Sequence, residues 1–424
     1  MISLRLPSAL TGLDPAWRRR GVALAGALGA SLVTASVALA SVPTFPLNLT
    51  VGGSTTVFPT ANGVATGPYA ANFPDVSIPG GVTQPGSGVG IARLLCNQSD
   101  VATASRPLMA SDDTSTTACA TPHPFQTGQV DQWVIGKDGI TIIVHCAGAT
   151  CPTGVPGLTR QDLADIYSCN KTNWSQFGGP NQQIVAESRE ITSGTYGDFM
   201  GFIGLAVGTA PFDGPCVVRQ QGNPGMQAGV SGTDWSIAYV GFGFSTGAPN
   251  LSILPVSNNT TPPVFVTPNV TTVENASYPF ARQLFEMTLK YGALPQTGQR
   301  LDNYARAINF INTTASLAGQ TILNNDGEFT LTTPSGENPV TALPCSTVGS
   351  QQVCPQVIPP WDVNVDGTAN VNDFVLVGQV FLDNAGTGHG GWERQDVTSS
   401  GTVNVNSMVN IGQHFLQTWQ KWTH

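Results

Sequence analysis

Eight cysteines divide this chain of 424 residues, and each pair that they form would tie two segments of it together. An even number of cysteines is typical of disulfides in an oxidising compartment, whereas free buried thiols are the alternative. A zinc site is poorly supported, because no C-x-x-C or C-x-x-H cluster is present. The sequence does not fix the connectivity, and we predict that neighbours along the chain pair: Cys96 with Cys119, Cys146 with Cys151, Cys169 with Cys216, and Cys345 with Cys354.

The first forty residues have the order of a signal peptide. Arg18-Arg19-Arg20 precede an uncharged apolar run, which ends in the small-residue motif Ala38-Leu39-Ala40. We therefore predict a signal peptide over residues 1–40 and a mature chain that starts near Ser41. The run is also about long enough to cross a bilayer, so an uncleaved anchor is the alternative. The expected location is periplasmic, cell-surface or extracellular.

The balance of charge narrows the classes of partner and reaction. A formal net charge of −9 argues against a nucleic-acid partner and provides no positive field that would gather anions. Any bound anion must therefore be held by local hydrogen bonds. A catalytic serine would need a histidine, and three of the five histidines lie in the C-terminal region, while His145 beside Cys146 is typical of a strand. We expect a binding protein and not an enzyme.

Strand and helix patterns alternate along the central part of the chain, which predicts an α/β fold. Predicted strands are Trp133–Ile135, Ile140–Val144 and Ile237–Val240, and predicted helices are Arg160–Tyr167, Phe280–Tyr291 and Asn303–Ala315. After about Leu323 the pattern decays into a segment rich in Pro, Thr, Ser and Gly. The predicted organisation is a main domain over 41–323, a linker over 324–360 and a C-terminal module over 361–424.

Four short segments combine glycine with hydroxyl side chains and together have the composition of an oxyanion site. Glycine lets backbone N–H groups approach a tetrahedral anion, serine and threonine add O–H donors, and arginine supplies a planar charged fork. Arg189 stands four residues before the last segment. The segments are Gly53-Ser54-Thr55-Thr56, Gly86-Ser87-Gly88, Ala104-Ser105-Arg106 and Ser193-Gly194-Thr195. Each one alone is typical of an ordinary loop, but the set predicts an anion site.

The order of these segments resembles the substrate-binding protein of phosphate ABC importers, over about residues 47–322. The resemblance implies a type II periplasmic-binding-protein fold, in which two α/β lobes close over one phosphate, and an importer complex in the membrane as partner. It implies that Thr55 or Thr56 and Ser87 donate to the anion from the first lobe and that Arg189, Ser193, Gly194 and Thr195 donate from the second, and Ser105 and Arg106 are further candidate donors. Other motifs in the series are Asp138-Gly139-Ile140, Leu158–Tyr167, Asn173-Trp174, Tyr239-Val240-Gly241 and Tyr278–Leu284.

One position departs from the pattern of several phosphate binders, which have an aspartate where this chain has Ser105. That carboxylate accepts the proton of hydrogen phosphate, which sulfate lacks, whereas other members have the Ser-Arg pair found here. Arg106 is expected either to contact the anion or to pair with a carboxylate. Asp138 is a candidate substitute acceptor, although an aspartate beside the start of a strand is more often structural. Phosphate is the preferred ligand, and its choice over sulfate rests on the resemblance.

A calcium-binding loop of twelve residues is predicted directly after the linker. Oxygen-bearing side chains occupy its positions 1, 3, 5, 7, 9 and 12, and Gly367 stands at position 6, where such loops turn sharply. No helix pattern precedes the loop, but one follows it, with apolar residues at Phe374, Val377 and Phe381. The predicted calcium ligands are Asp362, Asn364, Asp366, Thr368, Asn370 and Asp373.

The same unit recurs thirty-four positions later, where Asp396 through Leu416 align with Asp362 through Leu382. Hydroxyls replace one amide and two carboxylates in this second loop, which weakens its ligand set. We therefore predict one good calcium site and a second loop that is vestigial or structural. The oxygen-bearing side chains of the second loop are Asp396, Thr398, Ser400, Thr402 and Asn404.

Two such repeats, over about Trp361–Trp422, resemble dockerin modules. The resemblance implies a small all-α module that needs calcium and docks onto a cohesin-like domain. Positions 10 and 11 of the loops, Val371-Asn372 and Val405-Asn406, would help to select the partner, and their identity makes two docking orientations conceivable. In the alternative arrangement the module packs on its own chain, in keeping with the degenerate second loop and the insertion Asp383–Gly391.

Two functions from different classes fit these features. The first is capture of an inorganic oxyanion, with phosphate as the preferred ligand, by an exported solute-binding protein. The second is an extracellular structural or adhesive protein that reuses the same fold and assembles through its terminal module. A fold alone does not choose between them.

Overall fold

The structure is a computed structural model that describes residues 48–74, 76–206, 210–294, 299–331, 343–348, 351–384, 395–398 and 400–420. All of them belong to one compact unit, Phe45–His424. The predicted signal peptide lies outside the described residues. Among the described residues no helix has both the length and the apolar character that crossing a membrane requires.

Thirteen strands and ten helices of the described chain build this unit. The strands are β1 (Val51–Gly53), β2 (Val101–Ala104), β3 (Val130–Gly139), β4 (Thr141–His145), β5 (Leu158–Thr159), β6 (Val185–Arg189), β7 (Val218–Gln220), β8 (Ser236–Val240), β9 (Leu251–Ile253), β10 (Val256–Ser257), β11 (Ala281–Leu289), β12 (Ser346–Val348) and β13 (Gln351–Val353). The helices are α1 (Phe58–Val64, extended by a π turn Ala65–Tyr69 and a last turn Ala70–Asn72), α2 (Ser87–Leu95), α3 (Arg160–Tyr167), α4 (Gly194–Phe202), α5 (Gly222–Gly232), α6 (Val270–Glu274), α7 (Gln299–Ala315), α8 (Leu317–Asn325), α9 (Val371–Gln379) and α10 (Val405–Gln413).

The first lobe is built on a four-stranded sheet in the order β1-β2-β11-β3. β1 and β2 are parallel, whereas β11 runs antiparallel to both of its neighbours. Helices α1, α2, α7 and α8 cover this sheet, and α2 packs on β2 through Ile91 and Leu94, which are fully buried. The apolar faces of these elements form the core of the lobe.

The second lobe is built on a five-stranded sheet in the order β7-β6-β8-β4-β9. β6 is parallel to β7 and β8, and β4 is antiparallel to β8 and β9. Its core is separate from that of the first lobe and includes the buried rings of Tyr167, Trp174, Phe199 and Tyr239. The chain passes between the two sheets from β3 to β4 at Ile140, and returns at Phe280 before β11. The predicted α/β two-lobed body is confirmed.

The predicted helix Phe280–Tyr291 is wrong, because this segment forms β11. Phe280, Leu284, Met287 and Tyr291 are spaced like one face of a helix. β11 lies between β2 and β3, however, and a central strand buries both of its faces. Leu284 therefore packs in one cluster of the core and Met287 in another, so the expected alternation of apolar and polar residues is lost.

The remaining predictions of secondary structure agree with the structure. The predicted helix Arg160–Tyr167 is α3, and the predicted helix Asn303–Ala315 lies within α7. The predicted strands fall in β3, β4 and β8. All four predicted disulfides, between neighbouring cysteines, are confirmed.

The segment predicted as a linker is packed against the first lobe where it is described. Phe329 forms an antiparallel β-bridge with Lys137 of β3. The Gln351 side chain accepts from the backbone N–H of Thr330 at 2.8 Å, and Ile358 is fully buried. β12 and β13 form a hairpin in this segment. Isolated apolar residues among Pro, Thr and Ser give no periodic pattern, so the sequence does not reveal this packing.

The C-terminal module packs on its own chain, against the first lobe. The Trp419 ring stacks on Trp133 of β3 with centroids 6.2 Å apart, and the Tyr304 hydroxyl of α7 donates to the carbonyl of Asn364 at 3.2 Å. Trp133 and Trp419 are both buried. The alternative in which the module contacts its own chain is therefore the one observed.

The two loop-helix repeats of the module are related by reciprocal contacts. The N–H of Leu382 donates to the carbonyl of Val403 at 2.7 Å, and the N–H of Leu416 donates to the carbonyl of Ala369 at 2.8 Å. Leu416 is the counterpart of Leu382, and Val403 is the counterpart of Ala369, each thirty-four positions later, so the two hydrogen bonds are equivalent. The predicted helix after the first loop is α9, which ends at Gln379, so Phe381 lies beyond it.

Candidate functional site

The two lobes meet where α2 and α4 begin. Gly86 enters α2 with φ of +106°, and the N–H of Gly88 donates across the lobes to the carbonyl of Thr192 at 3.2 Å. Gly194, the first residue of α4, lies so close to Ser87 that a Cβ there would overlap the serine hydroxyl, and it would lie 2.7 Å from the hydroxyl of Ser105. Helix N-termini favour anions because their first N–H groups lack partners within the helix.

Arg189 stands at the end of β6 and reaches across to the first lobe. Its Nη2 donates to Thr55 Oγ1 at 2.6 Å, and its Nη1 donates to Asn223 Oδ1 at 2.7 Å. Glu190 accepts from Nε and Nη2 of the same guanidinium. Burial alone would raise the pKa of Glu190, but Arg189 and the N–H of Gly222 hold this pKa below its usual value. Arg189 is fully buried and its charge is neutralised locally.

Arg282, at the start of β11, is a second buried arginine in the same place. Its Nη2 donates to Thr195 Oγ1 at 3.0 Å and to Thr56 Oγ1 at 3.3 Å, so one guanidinium contacts both lobes. Asp138 of β3 accepts from Nε and Nη2 at 2.9 and 2.6 Å. Burial opposes the charge of Arg282, but Asp138 and Asp198 outweigh this effect and raise its pKa.

Two pairs of hydroxyls complete the site. Thr56 Oγ1 and Thr195 Oγ1 lie 3.3 Å apart, one from each lobe. Ser87 Oγ and Ser105 Oγ also lie 3.3 Å apart, and the N–H of Ser105 donates to Ser87 Oγ. The structure thus brings together seven of the predicted anion-binding residues: Thr55, Thr56, Ser87, Ser105, Arg189, Gly194 and Thr195.

Two predicted residues have other tasks in the structure. Arg106 forms a bidentate ion pair with Asp112 at 2.6 and 2.9 Å, so its side chain takes the second of the two predicted alternatives. Ser193 is the N-cap of α4, and its hydroxyl oxygen accepts from the N–H of Tyr196 at 3.3 Å. Ser193 therefore shapes the turn that presents Gly194.

Sequence reasoning missed Asn223 and Arg282 as site residues. Asn223, the second residue of α5, donates to Thr56 Oγ1 at 3.1 Å and is fully buried. Nothing in its immediate sequence marks it. Arg282 lies within the family-like motif Tyr278–Leu284, which could have found it had that segment been recognised as a strand that returns to the site.

The first calcium-like loop folds around two buried carboxylates. Asp362 accepts from the N–H groups of Asp366 and Gly367, and from Trp419 Nε1 at 2.6 Å. Asp373 accepts from three backbone N–H groups, including that of Asn370 at 2.8 Å. Gly367 has φ of +95°, as the sharp turn at position 6 requires. The loop therefore has the predicted turn and places its first and last predicted ligands close together.

The second loop has the same shape but a different interior. Gly401 has φ of +82°, and its N–H donates to Asp396 Oδ2 at 2.6 Å. The hydroxyls of Thr398 and Ser400 lie within hydrogen-bond distance of Asp396 Oδ1, and the carbonyl of Thr402 is an alternative acceptor for the single hydrogen of Ser400. Hydroxyl donors thus satisfy the one carboxylate of this loop. That the second loop is vestigial or structural stays a prediction.

Two α/β lobes that close on a cluster of buried donors define a ligand-binding protein of the periplasmic type. The family described as "PBP superfamily domain" matches residues 34–315, and the chain belongs to this superfamily. The homologous structures described below are a transporter substrate-binding protein and a transport receptor, which are not enzymes, and the chain is accordingly not an enzyme.

Among curated proteins, Protein SphX of Synechococcus elongatus is 29% identical over 285 residues, which cover 65% of this chain and 77% of that protein. Phosphate-binding protein PstS of Bacillus subtilis is 25% identical over 131 residues, 28% of this chain and 42% of that protein. A structure from Clostridium perfringens, described as a phosphate ABC transporter substrate-binding protein with bound phosphate, has a TM-score of 0.53 at 25% identity and covers 67% of this chain and 100% of that one. An ABC-type phosphate transport receptor from Vibrio cholerae shares the fold, with a TM-score of 0.50 at 20% identity, over 67% of this chain and 100% of that one.

Proposed function

We propose that this protein is an exported solute-binding protein that captures an inorganic oxyanion, phosphate, between its two lobes. A surplus of hydroxyl donors at the site carries the proposal. Thr55 Oγ1 accepts from Arg189, Thr195 Oγ1 accepts from Arg282, and Thr56 Oγ1 accepts from Arg282 and Asn223. A hydroxyl that accepts still has its own hydrogen to place.

The described residues offer too few acceptors for these hydrogens. The Thr55 hydroxyl has none, and of the two hydroxyls in the Thr56–Thr195 pair only one can donate to the other. The same holds for Ser87 and Ser105. At least one O–H from each of these three places is therefore left for a ligand rich in lone pairs, and buried donors without partners are costly.

The charges at the site suit an anion held by hydrogen bonds. Arg189, Arg282 and Arg106 are paired with Glu190, Asp138 and Asp112, respectively. The N-termini of α2, α4 and α5 supply further N–H dipoles at the same place. These features support recognition of one dehydrated anion by local hydrogen bonds. Local recognition is needed because the net negative charge of the chain provides no long-range attraction for an anion.

Calorimetry on the mature protein with phosphate and with sulfate tests the proposal. We expect binding of phosphate that Arg189→Ala abolishes, because the guanidinium is the charge that holds Thr55 and Asn223 in place. Arg93→Ala, at the far end of α2, is the matched control and leaves the affinity unchanged. Absence of heat with every oxyanion would overturn the proposal and leave the structural or adhesive function. Named relatives include phosphate transporter proteins, and delivery to an ABC importer complex is part of the same proposal.

We also propose that the first C-terminal loop binds calcium. Asp362 and Asp373 are fully buried, and the proximity of Asp362 adds to the burial that raises the pKa of Asp373 to about 6. Asp373 forms no ion pair within the described chain. Calcium would neutralise this pair, with Asp362, Asn364, Asp366, Thr368, Asn370 and Asp373 as the residues that would hold it.

We further propose that the C-terminal module docks onto a cohesin-like domain. Large apolar side chains are exposed at matching positions of the two repeats, and this observation supports it. The matching pairs are Val371 and Val405, Val375 and Val409, Phe381 and Phe415, and Leu382 and Leu416. Large apolar side chains that stay exposed at repeated positions are candidates for an interaction surface.

Purified cohesin domains and the calcium-loaded full chain provide the test for docking. Because the two repeats present equivalent pairs, replacement of Val371 alone or Val405 alone by Asp is expected to leave binding in place. The double replacement is expected to abolish it. If either single replacement alone abolishes binding, the two docking orientations are not equivalent. If the unaltered protein does not bind a cohesin domain, the docking proposal is wrong.

A further inference from the structure

A carboxylate behind the anion site, Asp213, connects the strand and the helix of the second lobe that contribute to that site. Its side chain is fully buried. Its Oδ2 accepts from the hydroxyl of Ser188 at 2.5 Å, and its Oδ1 accepts from the hydroxyl of Tyr196 at 3.1 Å and from Arg219. Ser188 belongs to β6, Tyr196 to α4 and Arg219 to β7. One carboxylate thus joins three elements of the lobe.

A directed chain of hydrogen bonds leads from the N–H of Arg189 to this carboxylate. Asp213 is paired with Arg219 and can only accept, so the single hydrogen of Ser188 points to it. The Tyr239 hydroxyl, 2.9 Å from Ser188 Oγ, must then donate to that serine, and it accepts in turn from the N–H of Arg189 at 3.1 Å. Burial raises the pKa of Tyr239, so this hydroxyl keeps the hydrogen that it donates.

The same carboxylate also holds the carbonyl side of Arg189. Arg219 donates through Nη2 to Asp213 and through Nη1 to the carbonyl oxygen of Arg189 at 2.8 Å. The N–H and the carbonyl of Arg189 are therefore both fixed at the end of β6, and its side chain reaches Thr55 of the first lobe from this point. The pair of Asp213 and Arg219 is neutral as a whole, so it adds no negative charge behind the site.

The second arm of the network leads to the start of α4. Tyr196 directly follows Gly194 and Thr195, and it is fully buried. Its hydroxyl donates to Asp213 and accepts from the N–H of Phe212 at 2.6 Å. The two arms therefore attach the arginine at the end of β6 and the donors of α4 to one common point.

We propose that Asp213 is a positioning residue for anion capture, because it sets the distance between Arg189 and the start of α4. This inference rests on the proposed function of the site. A ligand of fixed shape is bound well only when its partners are held within about 0.5 Å of their proper places. Three buried donors meet on this carboxylate, and its loss would leave them without their acceptor and free to rearrange.

Calorimetric titration of the full mature chain with phosphate tests the inference, at a temperature at which thermal melts show each variant to be folded. Asp213→Asn keeps the shape of the side chain but replaces one acceptor oxygen by an N–H₂ donor, and should weaken the binding of phosphate by about tenfold or more. Tyr196→Phe removes one arm alone and should weaken binding by about threefold. Tyr69→Phe deletes a buried hydroxyl of the first lobe, which donates to the carbonyl of Arg306 at 3.1 Å. It is the matched control and should leave the affinity unchanged.

The double variant separates positioning from general support of the fold. If Tyr196 acts through Asp213, the chain with both replacements should bind phosphate no more weakly than Asp213→Asn alone. Losses of affinity that multiply would overturn the inference with anion capture intact. The same conclusion would follow if the variants lowered the free energy of unfolding but kept the affinity of the unaltered protein.

Single hydroxyl deletions test the inference if Asp213→Asn does not fold. Tyr196→Phe and Tyr239→Phe cut one arm each and keep the carboxylate, and both should weaken the binding of phosphate while Tyr69→Phe does not. Equal affinities of these three variants would overturn the inference. If the unaltered protein binds no oxyanion, the proposed function itself fails and the inference fails with it.

Discussion

Gly194 of the second lobe lies against Ser87 of the first, with no room for even one methyl group between them. Glycine is needed here for a close approach of two chain segments, since α4 begins at this residue and has ordinary helical geometry. The contact therefore sets how nearly the two sets of donors can meet.

Gly194→Ala is predicted to weaken the binding of phosphate by about tenfold or more, because the added methyl group would hold the two lobes apart. Gly197→Ala, in the same helix, adds a methyl group where no atom lies within 4 Å and is the control. Calorimetry gives both affinities, and thermal melts show whether each variant is folded. Equal affinities for the two variants would contradict the role given to this contact.

Glu286 makes the stability of the first lobe depend on pH. It is fully buried in β11 with Thr314 as its hydrogen-bond donor, and burial raises its pKa from 4.5 to about 8. Between pH 4.5 and about 8, Glu286 is protonated in the folded state and ionised in the unfolded state. Its contribution to the free energy of unfolding is therefore fully present below about pH 4.5 and is lost as the pH rises towards about 8.

Glu286→Gln should remove this contribution, which amounts to about 1.4 kcal/mol for each pH unit inside that window. Denaturant unfolding of both proteins at several pH values measures it. The difference between the two curves reports Glu286 alone, since other buried acids are common to both. A difference that stays constant with pH would contradict the prediction.

If the first loop binds calcium as proposed, removal of the ion should lower the melting temperature by several degrees, because a ligand that binds only the folded state stabilises that state. Asp366→Ala should abolish the difference between melts with and without chelator. Ser400→Ala changes the equivalent position of the second loop and should leave the difference intact. If chelator changes neither protein, calcium does not bind where proposed.

Trp419→Ala should destabilise the protein by about 3 kcal/mol, since the ring stacks on buried Trp133 and its N–H donates to Asp362. Leu416→Ala removes a side chain that is 69% exposed and should change the free energy of unfolding by no more than about 0.5 kcal/mol. Denaturant unfolding compares the two variants. A small effect of Trp419→Ala would mean that the module contributes little to the stability of the first lobe.

The sequence predicted the features that depend on local pattern. The α/β body and the helix Arg160–Tyr167 could be predicted because they rest on local periodicity, whereas the pairing of neighbouring cysteines was a choice among several connectivities that the structure bears out. β11 could not be predicted, since a strand buried on both faces has no alternation and its spacing imitates a helix. The anion segments were likewise found as local motifs, and whether they bind phosphate stays a prediction.

Long-range contacts account for the rest of the site. Arg282 reaches Thr56 and Thr195 only because the chain returns from the second lobe into the first sheet. Asn223 contacts Arg189 only because the fold places the start of α5 beside the end of β6. The stacking of Trp133 on Trp419, which joins residues far apart in the chain, likewise has no local signal.

The attachment of the C-terminal module to the first lobe has a consequence if, as proposed, the protein both docks through this module and captures an anion between its lobes. A partner that grips the outward faces of α9 and α10 would immobilise the first lobe alone. The second lobe, which contributes Arg189 and the start of α4, would remain free to swing away and return. Anchorage and ligand turnover would then use opposite halves of the molecule, so that neither needs to be released for the other to proceed.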